Sequence, residues 1–215
     1  METQLTTSIL AIMYFGDVVF AISGALTAAR YKMDFLGFVL IGTITGIGGG
    51  TTRDLLLGRT VWWTQDPLEL ILCIVFSLIT YFWITTDITR KKAMIWSDTL
   101  GLAAFSVVGC HIALAFGAPF IIAVFMGMVT ATGGGVIRDV ITNQTPMIMR
   151  GQLYASAALL GSLSYATLMY FELTEIHAEI IALLLALSLR TLAVVYDIQM
   201  GPPGEFLRIG KKESK

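Results

Sequence analysis

The chain has 215 residues, of which 56% are hydrophobic and only 13% are charged, and its mean hydropathy is +0.78. Soluble domains carry about 25% charged residues, so this composition excludes a globule that faces water on all sides. The formal net charge of −1 gives no basis for a nucleic-acid partner. We therefore predict an all-α integral membrane protein.

Apolar stretches of about 20 residues, long enough to cross a bilayer as helices, recur along the whole chain. The connections between them are short, so residues 1–200 are predicted to form a single membrane domain. Residues 201–215 are first broken by Pro and Gly and then basic, which indicates a cytoplasmic tail beside anionic lipid headgroups. The seven predicted transmembrane helices span approximately 8–29, 35–57, 68–86, 94–115, 119–142, 152–171 and 178–196.

Lysine and arginine are distributed unevenly between the two faces of this predicted bundle. If the spans alternate in direction, the face that carries the N-terminus receives only Arg59. By the positive-inside rule, the N-terminus is expected outside and the C-terminus in the cytoplasm. The ten basic residues of the opposite face are Arg30, Lys32, Arg90, Lys91, Lys92, Arg150, Arg208, Lys211, Lys212 and Lys215.

Two parts of the chain repeat each other with an offset of 85 residues. Positions 20–60 and 105–145 share 13 identities in 41 pairs without a gap, which indicates an internal duplication. The predicted repeats cover about 8–86 and about 94–171, and helix 7 at about 178–196 is added to them. Because each repeat holds an odd number of spans, the second must enter the membrane upside down relative to the first. Inverted repeats are typical of transport proteins, whose sites lie where matching helices are broken.

Each repeat carries three consecutive glycines followed by an Arg-Asp motif inside an apolar span. Consecutive glycines weaken a helix by about 1 kcal/mol each relative to alanine and permit unusual backbone angles. We therefore predict glycine-kinked or locally unwound helices 2 and 5, with freed carbonyls that coordinate K⁺ transiently. Close helix packing is an alternative explanation that is compatible with the first. The predicted pore and hinge residues are Gly48, Gly49, Gly50, Gly133, Gly134 and Gly135.

Ionisable residues lie at membrane depth beside these glycines, where a charge costs roughly 3 kcal/mol or more and usually faces an interior or an aqueous path. Two interpretations stay open, a buried ion-pair lock between helices and a pore-lining role. Adjacent helical residues point about 100° apart, so Arg53 is expected to pair across the repeats or with Asp17 rather than with Asp54. Threonine hydroxyls nearby either replace hydration around a cation or bond back to their own helix. The candidate pore and gating residues are Asp17, Thr45, Thr51, Thr52, Arg53, Asp54, Thr130, Thr132, Arg138 and Asp139.

Two further charged residues have structural interpretations. Asp98 is predicted to cap the N-terminus of span 4, and Arg190 to extend toward the cytoplasmic end of span 7. The sequence shows no nucleophile–base–acid set, no Cys/His metal spacing and no phosphate-binding lysine motif. We therefore expect no catalytic residue, no structural metal and no cofactor other than permeant K⁺ or Na⁺ and bound lipid.

Several motifs resemble those of the prokaryotic relatives of the trimeric intracellular cation (TRIC) channels. They are the paired GGGxxRD motifs, FAISG at Phe20–Gly24 and RGQLYASAALLG at Arg150–Gly161, and the resemblance covers about residues 10–196. It implies a homotrimer in the plasma (bacterial inner) membrane. It also implies an hourglass-shaped pore within each subunit, kinked at the glycine triplets and passing monovalent cations, chiefly potassium.

The resemblance also leaves alternatives. Animal members carry a lysine near the second glycine motif that engages phosphoinositide headgroups, and GGGVIRDVITNQ of this chain has none. Gating by that lipid is therefore not expected here. The same domain has been labelled a glycine transporter, so the sequence leaves open a potassium channel and a carrier of glycine or a similar small zwitterion. A third hypothesis is a structural membrane protein whose charge pairs only hold a trimer together.

Overall fold

The computed structural model describes residues 6–83, 87–150, 153–199 and 208–209 of the chain. The described part is helical except for short connections and one pair of two-residue strands, Ile198–Gln199 and Arg208–Ile209, which run antiparallel. Two 3-10 turns, Trp62–Thr64 and Met147–Met149, follow the second and fifth helices. The helices are α1 Thr7–Arg30, α2 Phe35–Leu56, α3 Leu68–Trp83, α4 Asp87–Ala115, α5 Phe120–Ile141, α6 Tyr154–Tyr170 and α7 Glu175–Val195.

These helices match the predicted spans in number and order. Five of them, α1, α2, α5, α7 and residues 91–115 of α4, are long and apolar enough to cross a membrane, and α3 is a shorter apolar helix. The largest difference is the start of α4, which begins at Asp87 and not at 94. The predicted end of span 3, 84–86, and the tail apart from 208–209 lie outside the described residues.

The helices pack as two three-helix units that meet along matching faces. Within each unit the third helix packs on the first two, α3 on α1 and α2, and α6 on α4 and α5. The units join through α1 against α4 and α2 against α5, while α7 covers α4 and α6. The packing agrees with the predicted 3+3+1 plan, in which helix 7 has no counterpart.

Equivalent residues of the two repeats contact each other at the centre of the molecule. The rings of Phe20 on α1 and Phe105 on α4 are stacked with centroids 5.4 Å apart. A Cβ on Gly16 would lie 3.0 Å from Phe105, and one on Gly101 would lie 2.8 Å from Phe20. All four residues obey the offset of 85, so this stack lies where the two repeats face each other.

The turns repeat as well. Lys32 and Gly117 follow the first helix of each unit with φ of 53° and 88°. Gly58 and Asn143 follow the second helix of each unit with φ of 67° and 53°. Glycine and asparagine tolerate this left-handed region readily, and the duplicated backbone is kept although Lys32 and Asn143 each stand where the other repeat has glycine.

The glycine triplets do not break their helices. Both α2 and α5 continue as α-helix through residues 48–50 and 133–135, so the predicted local unwinding is wrong for this structure. The six glycines have no positive φ, unlike Gly58 and Gly117. Helical hydrogen bonding persists because four of the six glycines, Gly48, Gly49, Gly134 and Gly135, are buried between packed helices, where close approach compensates for low helix propensity.

Candidate functional site

The two glycine triplets form the crossing point of α2 and α5. A Cβ on Gly49 would overlap the carbonyl oxygen of Thr130, and a Cβ on Gly134 would overlap that of Thr45. A Cβ on Gly133 would lie 3.2 Å from the Cα of Gly49. The two backbones therefore touch directly, and the packing interpretation of the glycines is correct at this point.

The outer members of the triplets have different surroundings. A Cβ on Gly48 would lie 3.1 Å from the flexible end of Ile137. A Cβ on Gly50 would meet only the guanidinium of Arg53, at 3.6 Å. One on Gly135 would lie 2.9 Å from the hydroxyl of Tyr154. The third glycine of each triplet thus faces the charged residues that follow the crossing.

The threonines around the crossing donate hydrogen bonds to backbone carbonyls of their own helices, which is one of the two alternatives predicted for them. Thr45 and Thr130, which are equivalent, donate to the carbonyls four residues earlier at 2.6 Å in each case. Thr51, Thr52 and Thr132 do the same at 2.8–2.9 Å. Thr51 also accepts a hydrogen bond from the indole Nε1 of Trp63 at 2.9 Å. A hydroxyl that donates to its helix keeps an acceptor lone pair available.

Each Arg-Asp motif forms an ion pair between its own adjacent residues, contrary to the prediction. Arg53 Nε and Arg138 Nε each lie 2.9 Å from Oδ1 of the following aspartate. The long arginine side chain curls back across the angle between neighbouring positions. The second carboxylate oxygen of Asp54 accepts from the backbone N–H of Trp62 at 3.2 Å, and that of Asp139 from Met147 at 3.0 Å. Each motif thus fixes the turn that follows its helix.

The Arg138 cluster, which comprises Ser23, Asp98, Arg138, Asp139, Tyr154 and Arg190, draws its residues from five helices, α1, α4, α5, α6 and α7. Arg138 Nη1 lies 2.7 Å from both Asp98 Oδ1 on α4 and Ser23 Oγ on α1. The Arg190 guanidinium from α7 lies over the Tyr154 ring, 4.9 Å from its centroid. All six side chains are buried, with 2% exposure at most.

Two predictions fail in this cluster. Asp98 does not cap a helix, because α4 begins eleven residues earlier and Asp98 is buried against Arg138. Arg190 does not extend to the membrane surface, because its side chain is fully buried beside Tyr154. The first error comes from the predicted start of the helix, and the second from the face of the helix, which sequence position alone does not give.

The Arg53 cluster, which comprises Asp17, Arg53, Asp54, Arg59 and Glu69, occupies the equivalent place in the other half of the bundle. Arg59 Nη1 lies 3.5 Å from Asp54 Oδ1, and burial lowers the pKa of Arg59 while Asp54 raises it. Asp17 on α1 and Glu69 on α3 are 2% and 6% exposed. Within the described part of the chain, Asp17 Oδ2 has no hydrogen-bond partner.

A narrow cleft opens beside this cluster. Its free space is about that of one water molecule. The cleft borders the third glycine of α2 and so approaches the helix crossing from one side. Its lining residues are Met13, Asp17, Ile47, Gly50, Thr51, Arg53, Asp54, Trp62, Trp63, Glu69 and Phe105.

The sequence analysis missed Glu69 and Tyr154 as members of these clusters, and Trp63 as a lining residue of the cleft. Glu69 and Tyr154 obey the offset of 85, so an acidic residue in one repeat replaces an aromatic one in the other. A carboxylate in the first turn of an otherwise apolar helix was the available signal. Among the described residues, no group of three or more His, Cys, Asp or Glu side chains is arranged to hold a metal ion.

A comparison with protein families finds the same duplication. The family described as "Glycine transporter" matches residues 10–85 and again residues 95–170. The UPF0126 inner membrane protein YadS of Escherichia coli (strain K12) is 36% identical over 188 residues, 86% of this chain and 91% of that protein. A UPF0126 membrane protein of Vibrio cholerae is 39% identical over 173 residues, 77% and 71% of the two chains.

Solved structures match the fold. The TRIC trimeric intracellular cation channel orthologue from Rhodobacter sphaeroides superimposes with a TM-score of 0.87 at 38% identity, over 89% of this chain and 100% of that one. A structure from work on conductance through TRIC cation channels gives a TM-score of 0.81 at 32% identity, over 98% and 100% of the chains.

Two three-helix repeats and a seventh helix, five of the seven helices long and apolar enough to cross a membrane, define a polytopic membrane protein. The chain belongs to the glycine transporter (UPF0126) family, whose solved structures include prokaryotic TRIC channels. The predicted resemblance is thus confirmed, and the structural relatives are channels rather than enzymes.

Proposed function

We propose that this protein is a potassium-permeable channel for monovalent cations, with a pore inside each subunit that passes the crossing of α2 and α5. The observation that carries the proposal is the pair of buried charge clusters, one on each side of this crossing. Charges at membrane depth face an interior path far more often than lipid. The structural relatives that share the whole fold are described as cation channels.

We interpret the packing at the crossing as a closed state of the proposed pore. The backbones of Gly49 and Thr130 touch at the crossing and leave no gap between α2 and α5. On one side, Arg138 ties α5 to α1 and α4 through Ser23 and Asp98. We infer that opening separates the two helices at the glycines, as a kink there would do, and releases the contacts of Arg138. The candidate threonines then present their free lone pairs to the ion.

A carrier for glycine or a similar small zwitterion is the second candidate. The description of the matching family favours it. A carboxylate and an ammonium group would find opposite charges in the Arg53 cluster, where Arg53 and Asp17 line one cleft. The cleft, however, has room for about one water molecule, which is less than a glycine molecule needs.

We further propose a homotrimer in a bacterial inner membrane, with lipids and other copies of the chain as its partners. The support is the trimeric description of the Rhodobacter sphaeroides channel and the inner-membrane description of YadS. The basic residues favour an outer N-terminus and a cytoplasmic C-terminus. In that orientation the Arg53 cluster lies toward the outside and the Arg138 cluster toward the cytoplasm.

Flux into liposomes separates the two candidates. Purified protein is reconstituted, and potassium efflux and the exchange of radiolabelled glycine are measured on the same preparation. A channel gives potassium efflux that slows as the membrane potential it creates builds up. It gives no glycine counterflow. Saturable glycine uptake with counterflow, and no potassium efflux, would replace the channel by the carrier. A preparation that shows neither, while Arg53→Ala disrupts its assembly, would favour a structural role.

A further inference from the structure

The two charge clusters have different charge balances. In the Arg138 cluster, the carboxylates of Asp98 and Asp139 are matched by the guanidinium groups of Arg138 and Arg190. In the Arg53 cluster, within the described residues, the buried carboxylates of Asp17, Asp54 and Glu69 lie near Arg53 and Arg59, and Asp66 adds a half-buried carboxylate. Both arginines of the Arg53 cluster lie near Asp54, at 2.9 and 3.5 Å. Asp17 and Glu69 therefore have no cation of their own among the described residues.

Asp17 and Glu69 come together on adjoining faces of α1 and α3. Cys73, one turn after Glu69 on α3, donates from Sγ to the backbone oxygen of Asp17 at 3.7 Å. Both carboxylates line the cleft beside Gly50, and they are buried. The Asp17 side chain is 2% exposed, and its Oδ2 lacks a hydrogen-bond partner within the described residues. The Nε1 of Trp62, another lining residue, is likewise without a partner there.

We propose that Asp17 and Glu69 form a binding site for one alkali-metal cation, K⁺ or Na⁺, for which a proton competes. The site lies on the path of the channel proposed above and rests on that function for its role, although its occupancy is measurable without any flux. The ion is monovalent because it belongs to the class that the proposed channel conducts, and the cleft has room for one ion without its hydration shell.

Competition by protons follows from burial. An ionised carboxylate without a cationic partner is costly away from water, so a proton takes the place of the cation when none is bound. The other titratable or charged groups that face the pair are Tyr14 on α1, Arg53 and Asp54 on α2, Asp66 in the connection before α3, and Cys73 on α3.

The repeat supplies an internal comparison. The position equivalent to Glu69 is Tyr154, whose ring lies beneath Arg190 and beside Asp98. The position equivalent to Asp17 is Leu102, which is fully buried. Neither carboxylate of the proposed site therefore exists in the other half of the molecule. The proposed cation site is confined to the Arg53 half of the bundle.

Infrared difference spectroscopy on purified protein in lipid nanodiscs tests the site directly. The bathing cation is switched between K⁺ and N-methyl-D-glucamine, which is too large for the cleft, and the carboxyl bands are followed across a series of K⁺ concentrations and pH values. We expect a saturable, K⁺-dependent change from carboxylic acid to carboxylate. Its half-saturating K⁺ concentration should rise about tenfold for each unit of pH decrease on the acidic side, as one-for-one competition with a proton requires.

Variants assign the signal. Asp17→Asn and Glu69→Gln should each abolish the K⁺-dependent band, and Glu179→Gln should leave it unchanged. Glu179 is the matched control because it is a buried carboxylate on α7, held by Ser8 at 3.0 Å and outside the lining of the cleft. If a variant fails to fold, the pH series on the unmodified protein still tests whether K⁺ and a proton compete. The fluorescence of Trp62 and Trp63, which line the cleft, gives a second measure of K⁺ occupancy.

The outcomes distinguish failure of the proposed cation site from failure of the proposed channel. A spectrum that does not respond to K⁺, a half-saturating concentration that is independent of pH, or a signal that survives Asp17→Asn would overturn the site even if the protein conducts potassium. A K⁺-dependent band that these variants remove would establish the site even if no current were seen, and the proposed channel would then fail alone.

Discussion

Gly49 and Gly50 are neighbours in one triplet but have different neighbours in space. A Cβ at position 49 would overlap the backbone carbonyl of Thr130, whereas one at position 50 would make only an ordinary contact with Arg53. Backbone cannot move aside as the end of a side chain can. The helix crossing therefore depends on the middle glycine, and the third glycine is free to serve another purpose.

Gly49→Ala is expected to lower the free energy of unfolding by about 1–3 kcal/mol, the usual cost of forcing a methyl group into a packed interior. Gly50→Ala is the matched control and should be neutral or gain up to about 1 kcal/mol from helix propensity. The thermal unfolding midpoint of both variants in the same detergent measures the difference. Equal destabilisation of the two would contradict the assigned contact.

The residues of the site were predictable to different degrees. The glycines, the Thr45 and Thr130 pair and the Arg-Asp motifs are visible in the sequence because they repeat at a fixed offset. Glu69 was not predicted as a site residue, because its counterpart in the other repeat is Tyr154 and the position is therefore not repeated. The pairing of Arg53 with Asp54 was not predicted, because a helical wheel gives only the direction of each Cβ atom. It does not give how far a long, flexible arginine side chain can reach.

At the scale of helices, the two Arg-Asp motifs do different things. Arg138 joins α5 to α1 and α4, through Ser23 and Asp98 at 2.7 Å each. The hydrogen bonds of Arg53 within the described residues go to Asp54 on its own helix. The duplication has kept the motif and changed its partners, so one copy ties helices together and the other leaves a cleft beside α2.

Arg138→Ala is expected to destabilise the protein by about 3–5 kcal/mol, because it leaves buried carboxylates without their cation. Arg53→Ala should cost less, since Asp54 keeps Arg59 at 3.5 Å. Denaturant unfolding compares the two variants. Where Arg138→Ala remains folded, loss of the ties to α1 and α4 should raise potassium flux into liposomes. An unchanged or lower flux in well-folded protein would contradict the role of Arg138 as a latch.

The number and order of the helices could be predicted from the sequence. Span length, apolar composition and the repeat were sufficient to predict seven helices and their inverted arrangement. The unwinding at the triplets was wrong because propensity describes an isolated helix, whereas α2 and α5 support each other through direct backbone contact. Such contact becomes visible only when both helices are placed in space.

At the scale of the whole molecule, the distribution of basic residues predicts an outer N-terminus and a cytoplasmic C-terminus. The native Cys73 and Cys110 are fully buried, so introduced cysteines can be labelled selectively. Thr64→Cys, in the exposed turn before α3, should react with a membrane-impermeant maleimide added outside intact cells. Lys92→Cys, exposed on α4, should react only after permeabilisation, and the opposite pattern would reverse the proposed orientation.

Single-channel recording decides whether the protein is a potassium channel. Purified protein is fused to a planar bilayer under a potassium chloride gradient, and the voltage at which current reverses is determined. We expect unitary steps of modest conductance, because arginines lie beside the path, and a reversal potential near that of potassium. Reversal near the chloride potential, or a silent bilayer from protein that exchanges glycine by saturable counterflow in liposomes, would contradict it.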